Sequence, residues 1–321
     1  MPATALTKVQ LGYENVAWGT PVAATAKLMG VTEANVKIVD KIIQIVAPGS
    51  LAPASTAVQA ALSGAANVAG ALTYQDINYY LHGLFGHITP AGANPYIYTY
   101  AAPLGTAPTL HPFTMEFGPT GGTYLMSGAL LTKLGIKIAT DDVWRATSDW
   151  VGELVTTVSL AALSDRTVEL IRASDTIVYM DAVGGTVGAT PMTASVINVD
   201  MQIDTGRHLK SFVSSINPLT YGEDRWKGTL KLTLEYNALV KAIVDAELGP
   251  AKVQKQFRIK ATTGASAIAQ IDFAGILING VELFKDRDGN VIIETTWAGE
   301  YNSAMTNWLA SVITNAVATL P

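Results

Sequence analysis

The sequence contains no cysteine, few charged residues and no long uninterrupted hydrophobic run, and each shortage excludes something. Because none of its 321 residues is a cysteine, the chain forms neither disulfides nor thiolate metal sites. Charged residues make up 15% of the sequence, whereas about 25% is typical of soluble domains. Hydrophobic residues make up 49%, which is ample for a packed core. A chain so apolar and so poor in charge is expected to bury much of its surface against copies of itself.

Three stretches without formal charge, residues 47–75, 88–115 and 302–321, do not predict insertion into a membrane. Glycine, proline, serine, threonine and asparagine interrupt them, so none supplies the sustained apolar segment that a membrane span requires. The first 19 residues also lack an apolar core of signal-peptide length, and export by the secretory route is not expected.

Clusters of lysine and arginine are also missing. The formal net charge is −5 and the isoelectric point is near 5.4. Proteins that bind nucleic acid tightly usually present a basic patch. Specific binding of DNA or RNA is therefore not predicted.

Residue patterns that carry catalysis or bind metals do not occur. Residues 286–290 resemble the start of a calcium loop, but Trp297 stands where such a loop needs an acidic twelfth residue. The glycine-rich residues 184–188 lack the lysine and the helix of a phosphate-binding loop, so a linker is the better interpretation. The histidines show no metal-ligand spacing: His82, His87, His111 and His208. The sequence thus predicts no catalytic, cofactor-binding or metal-binding residue, no cofactor and no enzymatic activity.

One segment occurs twice. Residues 128–153 and 275–300 both begin with glycine, reach tryptophan 22 residues later and end on Trp-x-Gly-Glu. Apolar and polar residues alternate in each copy around a polar turn, as in a β-hairpin with one buried face. We expect Trp150 and Trp297 to fill the cores of the two copies, and Gly152 and Gly299 to mark bends in the strands. A contact between subunits is the alternative for these residues.

This repeat predicts a mainly β chain with a few flanking helices, built from two related domains. Residues 1–183 would contain an N-terminal arm and the first domain, residues 184–192 a glycine-rich linker, and residues 193–321 the second domain. Within these, strands are predicted at 31–45, 113–125, 196–205 and 228–234, and helices at 74–85 and 237–248. Residues 48–69 are interpreted as a long turn that feeds a strand, and 301–321 as a last helix or strand.

Two segments break the regular pattern and are candidates for contacts with neighbouring subunits. Residues 7–22 form the predicted arm, because Gly12, Gly19 and Pro21 interrupt it. Residues 87–112 contain five prolines and are predicted to be a loop, and loops of this length are usually functional. The candidate anchors for a neighbour are aromatic: Tyr13, Trp18, Tyr96 and Tyr98.

The motif Gly-Tyr-Glu-x3-Trp-Gly-Thr-Pro-Val at 12–22 resembles the opening of tail tube proteins (major tail proteins) of long-tailed, non-contractile bacteriophages. Residues 113–136, the hairpin that ends in tryptophan and the segment TIVYMD followed by a glycine-rich turn are also similar to that family. The resemblance implies tandem β-sandwich domains, each of which contributes strands to an inner barrel in stacked rings. It further implies a virion protein assembled in the host cytoplasm.

The resemblance also suggests partners. The chain would bind copies of itself, the tape measure protein and the tail terminator or tip proteins, and DNA would pass through the lumen without specific binding. Two domains per chain favour a ring of three chains with pseudo-sixfold symmetry over a ring of six. An acidic wall would let DNA slide, and the candidate lumen-facing residues are Glu33, Glu116, Asp200 and Asp204. Outward-facing positions for these residues are an equal alternative.

Two other functions remain open at this point. Another self-assembling tube or shell, such as a component of a secretion system, would share the charge-poor composition and the repeat. A carbohydrate-binding β-sandwich is the more distant alternative, and it would be marked by an exposed aromatic platform.

Overall fold

The computed structural model describes residues 7–15, 18–46, 48–49, 56–106, 108, 110, 112–119, 122–247, 252–287 and 289–320. These residues confirm the predicted mainly β fold, with antiparallel sheets and short flanking helices. The strands are β1 Lys8–Tyr13, β2 Ala26–Lys27, β3 Val31–Ile45, β4 Thr56–Ala71, β5 Tyr96–Ala101, β6 Phe113–Gly118, β7 Tyr124–Ala139, β8 Arg145–Gly152, β9 Leu154–Thr157, β10 Thr176–Ala182, β11 Val196–Asp204, β12 His208–Lys210, β13 Thr220–Gly222, β14 Lys227–Glu235, β15 Lys255–Gly264, β16 Ala267–Arg287, β17 Asn290–Gly299 and β18 Leu309–Asn315. The helices are α1 Ile77–Phe85 and α2 Ala238–Glu247.

Eight strands form one continuous sheet through both halves of the chain, in the order β3-β4-β8-β7-β11-β14-β17-β16. We call it the inner sheet. Its first four strands and its last four follow a similar pattern: an antiparallel pair of strands, then the second and first strands of the repeated hairpin. β3 and β4 are successive in the chain, whereas the short strands β12 and β13 lie between β11 and β14. The two sets meet where β7 pairs antiparallel with β11.

A second layer of strands covers one face of the inner sheet. β7 and β16 are long and belong to both layers. The first part of β7 pairs with β6 and β9. The first part of β16 pairs with β15 and β18. β1 extends the first outer layer through β6, and β10 extends the second through β15. Apolar side chains from both layers, such as Met115, Ile136, Met201 and Phe257, are almost fully buried between them. The arrangement is that of β-sandwiches.

Both helices contribute residues to the core, α2 through Val240, Ile243 and Val244. Every residue of α1 is buried, and its Gly83 allows close packing, since a Cβ atom there would lie 2.8 Å from the ring of Trp150. Gly86 ends α1 with a φ of 96°, a conformation that favours glycine. Before α2, the side chain of Asn237 accepts a hydrogen bond from the amide of Val240 at 3.0 Å, as an N-cap does. Residue 248, the last of the helix predicted at 237–248, lies outside the described residues.

Several predicted segments differ from the structure. Residues 8–13 of the predicted arm form β1, which is paired on both sides and mostly buried, so they are not a free arm. The predicted turn at 48–69 is largely strand β4. The loop at 87–112 contains β5, whose alternate residues Tyr98 and Tyr100 are buried against α1. The C-terminal segment, for which helix and strand were both open, contains β18.

The two halves interlock more closely than a linker at 184–192 implies. β10 was assigned to the first domain, but its strand partner is β15 of the second. β5, which comes from the first half, pairs with β18 near the C-terminus. Strand pairs thus connect residues of the predicted range 1–183 with residues of the predicted range 193–321.

A candidate assembly surface

The face of the inner sheet that turns away from the core is polar and exposed. On β11, Val199, Met201 and Ile203 point to the core, so Asp200 and Asp204 point to the other side. The same alternation on β7 and β14 places lysines beside these aspartates. One row of opposite residues across the sheet is Asp149, Lys133, Asp204 and Lys227, and a second contains Lys137, Asp200 and Lys231.

These rows hold opposite charges close together. The Nζ atom of Lys133 lies 3.6 Å from a carboxylate oxygen of Asp204. Lys231 lies 3.1 Å from Glu294, and Asn67 donates a hydrogen bond to Asp149 at 2.8 Å. The face therefore carries both signs of charge, with lysines beside its aspartates. Lys133 and Lys137 were not among the predicted residues of this face, although their spacing matches that of Asp200 and Asp204.

The two ends of the inner sheet are open edges. β3 has β4 on one side, and β16 beyond Gly275 has β17 on one side; neither has a strand on its outer side among the described residues. The start of β3 is held in place by Asp76, whose carboxylate accepts hydrogen bonds from the amides of Met29 and Gly30 and pairs with Arg166. Open edges of this length are sites for pairing with another chain.

Beyond the inner sheet, β3 and β4 continue as a two-stranded ribbon. We call residues 39–45 and 56–62 the apolar ribbon, because β4 pairs with β8 only from Gly64 onward. Its aliphatic side chains are exposed to between 40% and 56%: Val39, Ile42, Ile43, Ile45 and Val58. An isolated two-stranded ribbon is marginally stable in water, so this ribbon is a candidate contact surface.

The aromatic N-terminal motif forms a folded corner. The carboxylate of Glu14 accepts hydrogen bonds from the Thr114 hydroxyl at 2.8 Å and from the amides of Gly128 and Gly19 at 2.9 and 3.1 Å. Burial raises the pKa of Glu14, and these hydrogen bonds oppose the rise. The corner ties the N-terminal segment to the first glycine of the repeated hairpin.

Comparison with known protein families supplies the decisive observation. A family model described as phage tail tube protein matches residues 4–297 of the chain. The chain belongs to the phage tail tube protein family. A comparison with curated proteins finds no match. Family membership makes the chain a structural subunit of a phage tail tube, a virion component that assembles with copies of itself and other tail proteins.

The tail tube subunit presents only some of the predicted acidic residues on its polar face. Asp200 and Asp204 lie there, and Glu33 is exposed on β3. Glu116 does not: it is 3% exposed and accepts hydrogen bonds from the amides of Ala24 and Ala161. A carboxylate buried between backbone amides cannot face a channel, so Glu116 is removed from the candidates.

The predicted aromatic anchors contact their own chain. Tyr13 is half-buried and stacks on His87 with ring centroids 4.8 Å apart, and Trp18 packs on Tyr221 at 5.5 Å. Tyr98 is fully buried and donates a hydrogen bond to the carbonyl of residue 317, so it is not available to a neighbour. Tyr96 is half-buried at the start of β5.

The repeated tryptophans are both buried, each two residues before the last residue of its strand. Trp150 packs edge-on against Phe113, and Trp297 packs edge-on against Phe257. The glycines that follow leave room for packing. A Cβ atom on Gly152 would lie 2.5 Å from Met126, and one on Gly299 would lie 2.5 Å from Trp308.

No group of three or more histidine, aspartate or glutamate residues in the described part of the tail tube subunit could hold a metal ion. His82 and His87 lie together, with ring centroids 4.9 Å apart, inside an aromatic cluster. His111 lies outside the described residues, and His208 is exposed on β12. No helix among the described residues is long and apolar enough to cross a membrane.

Proposed function

We propose that this subunit builds the tail tube of a long-tailed, non-contractile phage, as stacked rings around a channel for DNA and the tape measure protein. The observation that carries the proposal is the eight-stranded inner sheet, which has a buried face, a polar face and an open edge at each end. Repetition of such a sheet around an axis closes a barrel with a polar lumen. The tube would form in the host cytoplasm and bind terminator and tip proteins at its ends.

We infer that three chains form each ring. The equal order of strands in the two sets supports a duplicated module, and three chains would then give six modules. A wall of three times eight strands, spaced about 4.8 Å apart, would measure roughly 37 Å between opposite backbones before strand tilt is included. Six chains would double that width. A reconstruction of purified tubes that counts the chains per ring tests this inference; six chains per ring would overturn it.

DNA would slide past the polar face because the lysines of its two central rows lie beside aspartates. Asp200 lies between Lys137 and Lys231 across the strands, and Asp204 lies between Lys133 and Lys227. A lysine beside a carboxylate attracts DNA phosphates only weakly, because its charge is largely neutralised. Salt screens the attraction between DNA and distant charges more than it screens the contact between a lysine and its neighbouring aspartate. Asp200, Asp204 and Glu33 are the acidic residues that we place toward the lumen.

Asp200→Asn combined with Asp204→Asn tests this role. Asparagine keeps the shape of the side chain, so tubes should assemble at normal length, but the released lysines should slow genome ejection, most strongly at low salt. Glu169→Gln with Asp245→Asn is the matched control, because it removes two exposed carboxylates from other surfaces. Ejection kinetics measured by release of a DNA-binding dye should change only in the first variant. Equal rates of genome ejection in both variants would contradict the placement of Asp200 and Asp204 toward the lumen, but would not contradict the proposed tube.

We also propose that the apolar ribbon, together with exposed parts of the 87–112 loop, joins one ring to the next. The predicted N-terminal arm loses part of that role because β1 is built into its own subunit. The ribbon extends beyond the C-terminal end of β8, and its exposed isoleucines need an apolar partner. In a stacked tube the next ring supplies that partner.

A further inference from the structure

A segment late in the chain ties the two halves of the subunit together. We call residues 307–320 the closing segment; it contains β18, which lies between two strands of different origin. On one side β18 pairs with the first part of β16, from Leu309 opposite Phe273 to Thr314 opposite Ile268. On the other side it pairs with β5, which comes from the first half of the chain.

Two buried asparagines fix the ends of β18. The side chain of Asn307 donates a hydrogen bond from Nδ2 to the carbonyl of Ala102 at 3.0 Å, and that of Asn315 donates one to the carbonyl of Tyr74 at 2.6 Å. Their Oδ1 atoms accept hydrogen bonds from backbone amides of the closing segment itself. Because a shift of the strand would leave these buried side-chain amides without partners, the register of β18 is determined at both ends.

In the second half, the side chain of Trp308 covers part of the inner sheet. A Cβ atom on Gly228 of β14 would lie 2.3 Å from its ring, and one on Gly299 of β17 would lie 2.5 Å from it. The ring also packs edge-on against Phe273, with centroids 6.1 Å apart. The two glycines therefore provide the space for Trp308, and the closing segment contacts the inner sheet without adding a strand to it.

In the first half, the closing segment acts through β5. Tyr98 and Tyr100 are buried, and Tyr100 stacks on Phe85 of α1 with ring centroids 5.6 Å apart. The Tyr98 hydroxyl donates to the carbonyl of residue 317 at 2.8 Å. Among the described residues, β18 is the one strand that pairs with β5. Without the closing segment, β5 would therefore lose its sheet partner, and the loop at 87–112 would lose its anchor.

We propose that the closing segment is an assembly lock: a subunit becomes competent to join a tube only after residues 307–320 are inserted between β16 and β5. This inference rests on the proposed tube. The ribosome makes these residues after both halves of the subunit. Until they are inserted, the loop at 87–112, whose exposed parts we assign to the contact between rings, has no fixed position. The lock would thus limit association of incomplete chains, whose open strand edges promote aggregation.

The closing segment has properties that suit insertion as a separate step. It carries no formal charge, so no ion loses its hydration when the segment is buried. Ser311, which is buried, donates a hydrogen bond to the carbonyl of Gln270 at 2.8 Å. The pairings that hold the eight strands of the inner sheet together do not involve β18. The inner sheet should therefore remain folded while the lock is open.

The test separates the closing segment from an otherwise complete subunit. A recognition sequence for a site-specific protease is inserted between Met305 and Thr306, because Thr306 is exposed in a turn, and the purified subunit is cut there. The cut segment is then removed by gel filtration in mild urea. The same sequence inserted between Gly184 and Gly185 is the matched control, because a cut in that exposed turn leaves the closing segment attached to β16 through the chain.

Without its closing segment, we expect the subunit to keep slow hydrogen exchange in β7 and β11, to lose protection in β5 and to form no tubes in electron micrographs. A synthetic peptide of residues 306–321 should restore the tubes, and the same peptide with Asn315→Leu should bind about tenfold more weakly. The control cut should leave assembly unchanged. Tubes of normal length without the segment would overturn the lock. Loss of protection in every strand would show that the segment is required for folding itself, which also overturns it.

A second variant decides the case in which the cut segment cannot be removed or the peptide restores nothing. Asn315→Leu in the uncut chain removes the hydrogen bond to the carbonyl of Tyr74. It should accelerate hydrogen exchange in β5, leave exchange in β11 unchanged and lower the yield of tubes. An unchanged yield, or equal acceleration in both strands, would overturn the lock. Failure of the unsubstituted chain to form tubes would instead contradict the proposed function.

Discussion

Arg207 donates a hydrogen bond from Nη1 to the carbonyl oxygen of Gly83 at 2.6 Å. Its Nη2 atom donates to the carbonyl of Leu84, also at 2.6 Å. Both carbonyls belong to the C-terminal turn of α1, where a cation is favourable because the helix dipole is negative. The side chain is fully buried, and the guanidinium packs on Trp226. A residue that follows β11 in the second half thus fastens the helix of the first half.

Arg207→Met should lower the free energy of unfolding by about 3–5 kcal/mol, because it leaves a nearly buried carboxylate without its cation. Glu223 lies 3.4 Å from the guanidinium and is 11% exposed. Urea unfolding of the unassembled subunit at pH 7 measures the change, and adding Glu223→Gln should recover part of it. Arg172→Met is the control, since its ion pair with Asp175 is exposed and should cost about 1 kcal/mol or less. Equal losses in the two variants would show that Arg207 does not fasten α1.

The two repeated tryptophans make the same hydrogen bond. The indole of Trp150 donates to the hydroxyl of Ser148 at 2.9 Å, and that of Trp297 donates to the hydroxyl of Thr295 at 3.1 Å. Thr295→Val keeps the shape of the side chain and leaves a buried indole N–H unsatisfied, so we expect a loss of about 1–3 kcal/mol. Ser148→Ala should cost at least as much, because the Ser148 hydroxyl also donates to the carbonyl of Val68.

Thr296→Val serves as the control for both substitutions, since Thr296 points to the polar face and should change stability by about 0.5 kcal/mol or less. Denaturant unfolding of the four proteins under one condition gives the comparison. A loss at Ser148 without any loss at Thr295 would show that the two halves are packed differently despite their common sequence.

His82 should make the subunit sensitive to acid. Burial lowers the pKa of His82 to about 3, with His87 as a second cause. Because the folded state holds the ring neutral while the unfolded chain binds a proton near pH 6.5, this contribution to stability is present above pH 6.5 and is lost as the pH falls toward 3. Between pH 7 and pH 5 the loss is about 2 kcal/mol.

His82→Gln keeps an acceptor for the amide of Ile88, which donates to the ring Nε2 at 3.3 Å. We therefore expect its urea midpoint to fall less between pH 7 and pH 5 than that of the unsubstituted subunit. His208→Gln, at an exposed position, should leave the pH dependence unchanged. Parallel pH profiles for all three proteins would contradict the assignment of the acid sensitivity to His82.

Much of this architecture could be predicted from the sequence because local patterns determine it. The alternation at 31–45 predicted β3 with its bounds, and the repeat at Trp150 and Trp297 predicted both hairpins. The burial of Glu116 could not be predicted from the sequence. Polar and apolar residues alternate in the same way on a strand with one solvent-exposed face and on a strand whose polar face is covered by other residues. The pairing of β5 with β18 was also beyond reach, since it joins segments about two hundred residues apart through backbone hydrogen bonds that carry no sequence signal.

The apolar ribbon should decide whether rings join into tubes. Ile43 and Val58 lie opposite one another on the ribbon and are 49% and 54% exposed. Replacing both by threonine keeps two β-branched residues, so the subunit should fold with nearly unchanged stability. If the ribbon is buried against the next ring, each substitution places a hydroxyl without a hydrogen-bond partner in an apolar contact, which costs about 1–3 kcal/mol. Ile43→Thr with Val58→Thr should therefore yield rings or short stacks in electron micrographs, with tube length sharply reduced.

Leu170→Thr with Leu239→Thr is the matched control, because these leucines are also exposed, at 44% and 37%, and lie on other surfaces. Its tubes should reach normal length. The two outcomes separate contacts between rings from contacts within a ring: the ribbon variant should still form rings, because Ile43 and Val58 lie beyond the part of β4 that pairs with β8. Tubes of normal length from the ribbon variant would show that the exposed isoleucines are not the connection between rings, and the axial contact would then lie with the exposed parts of the 87–112 loop.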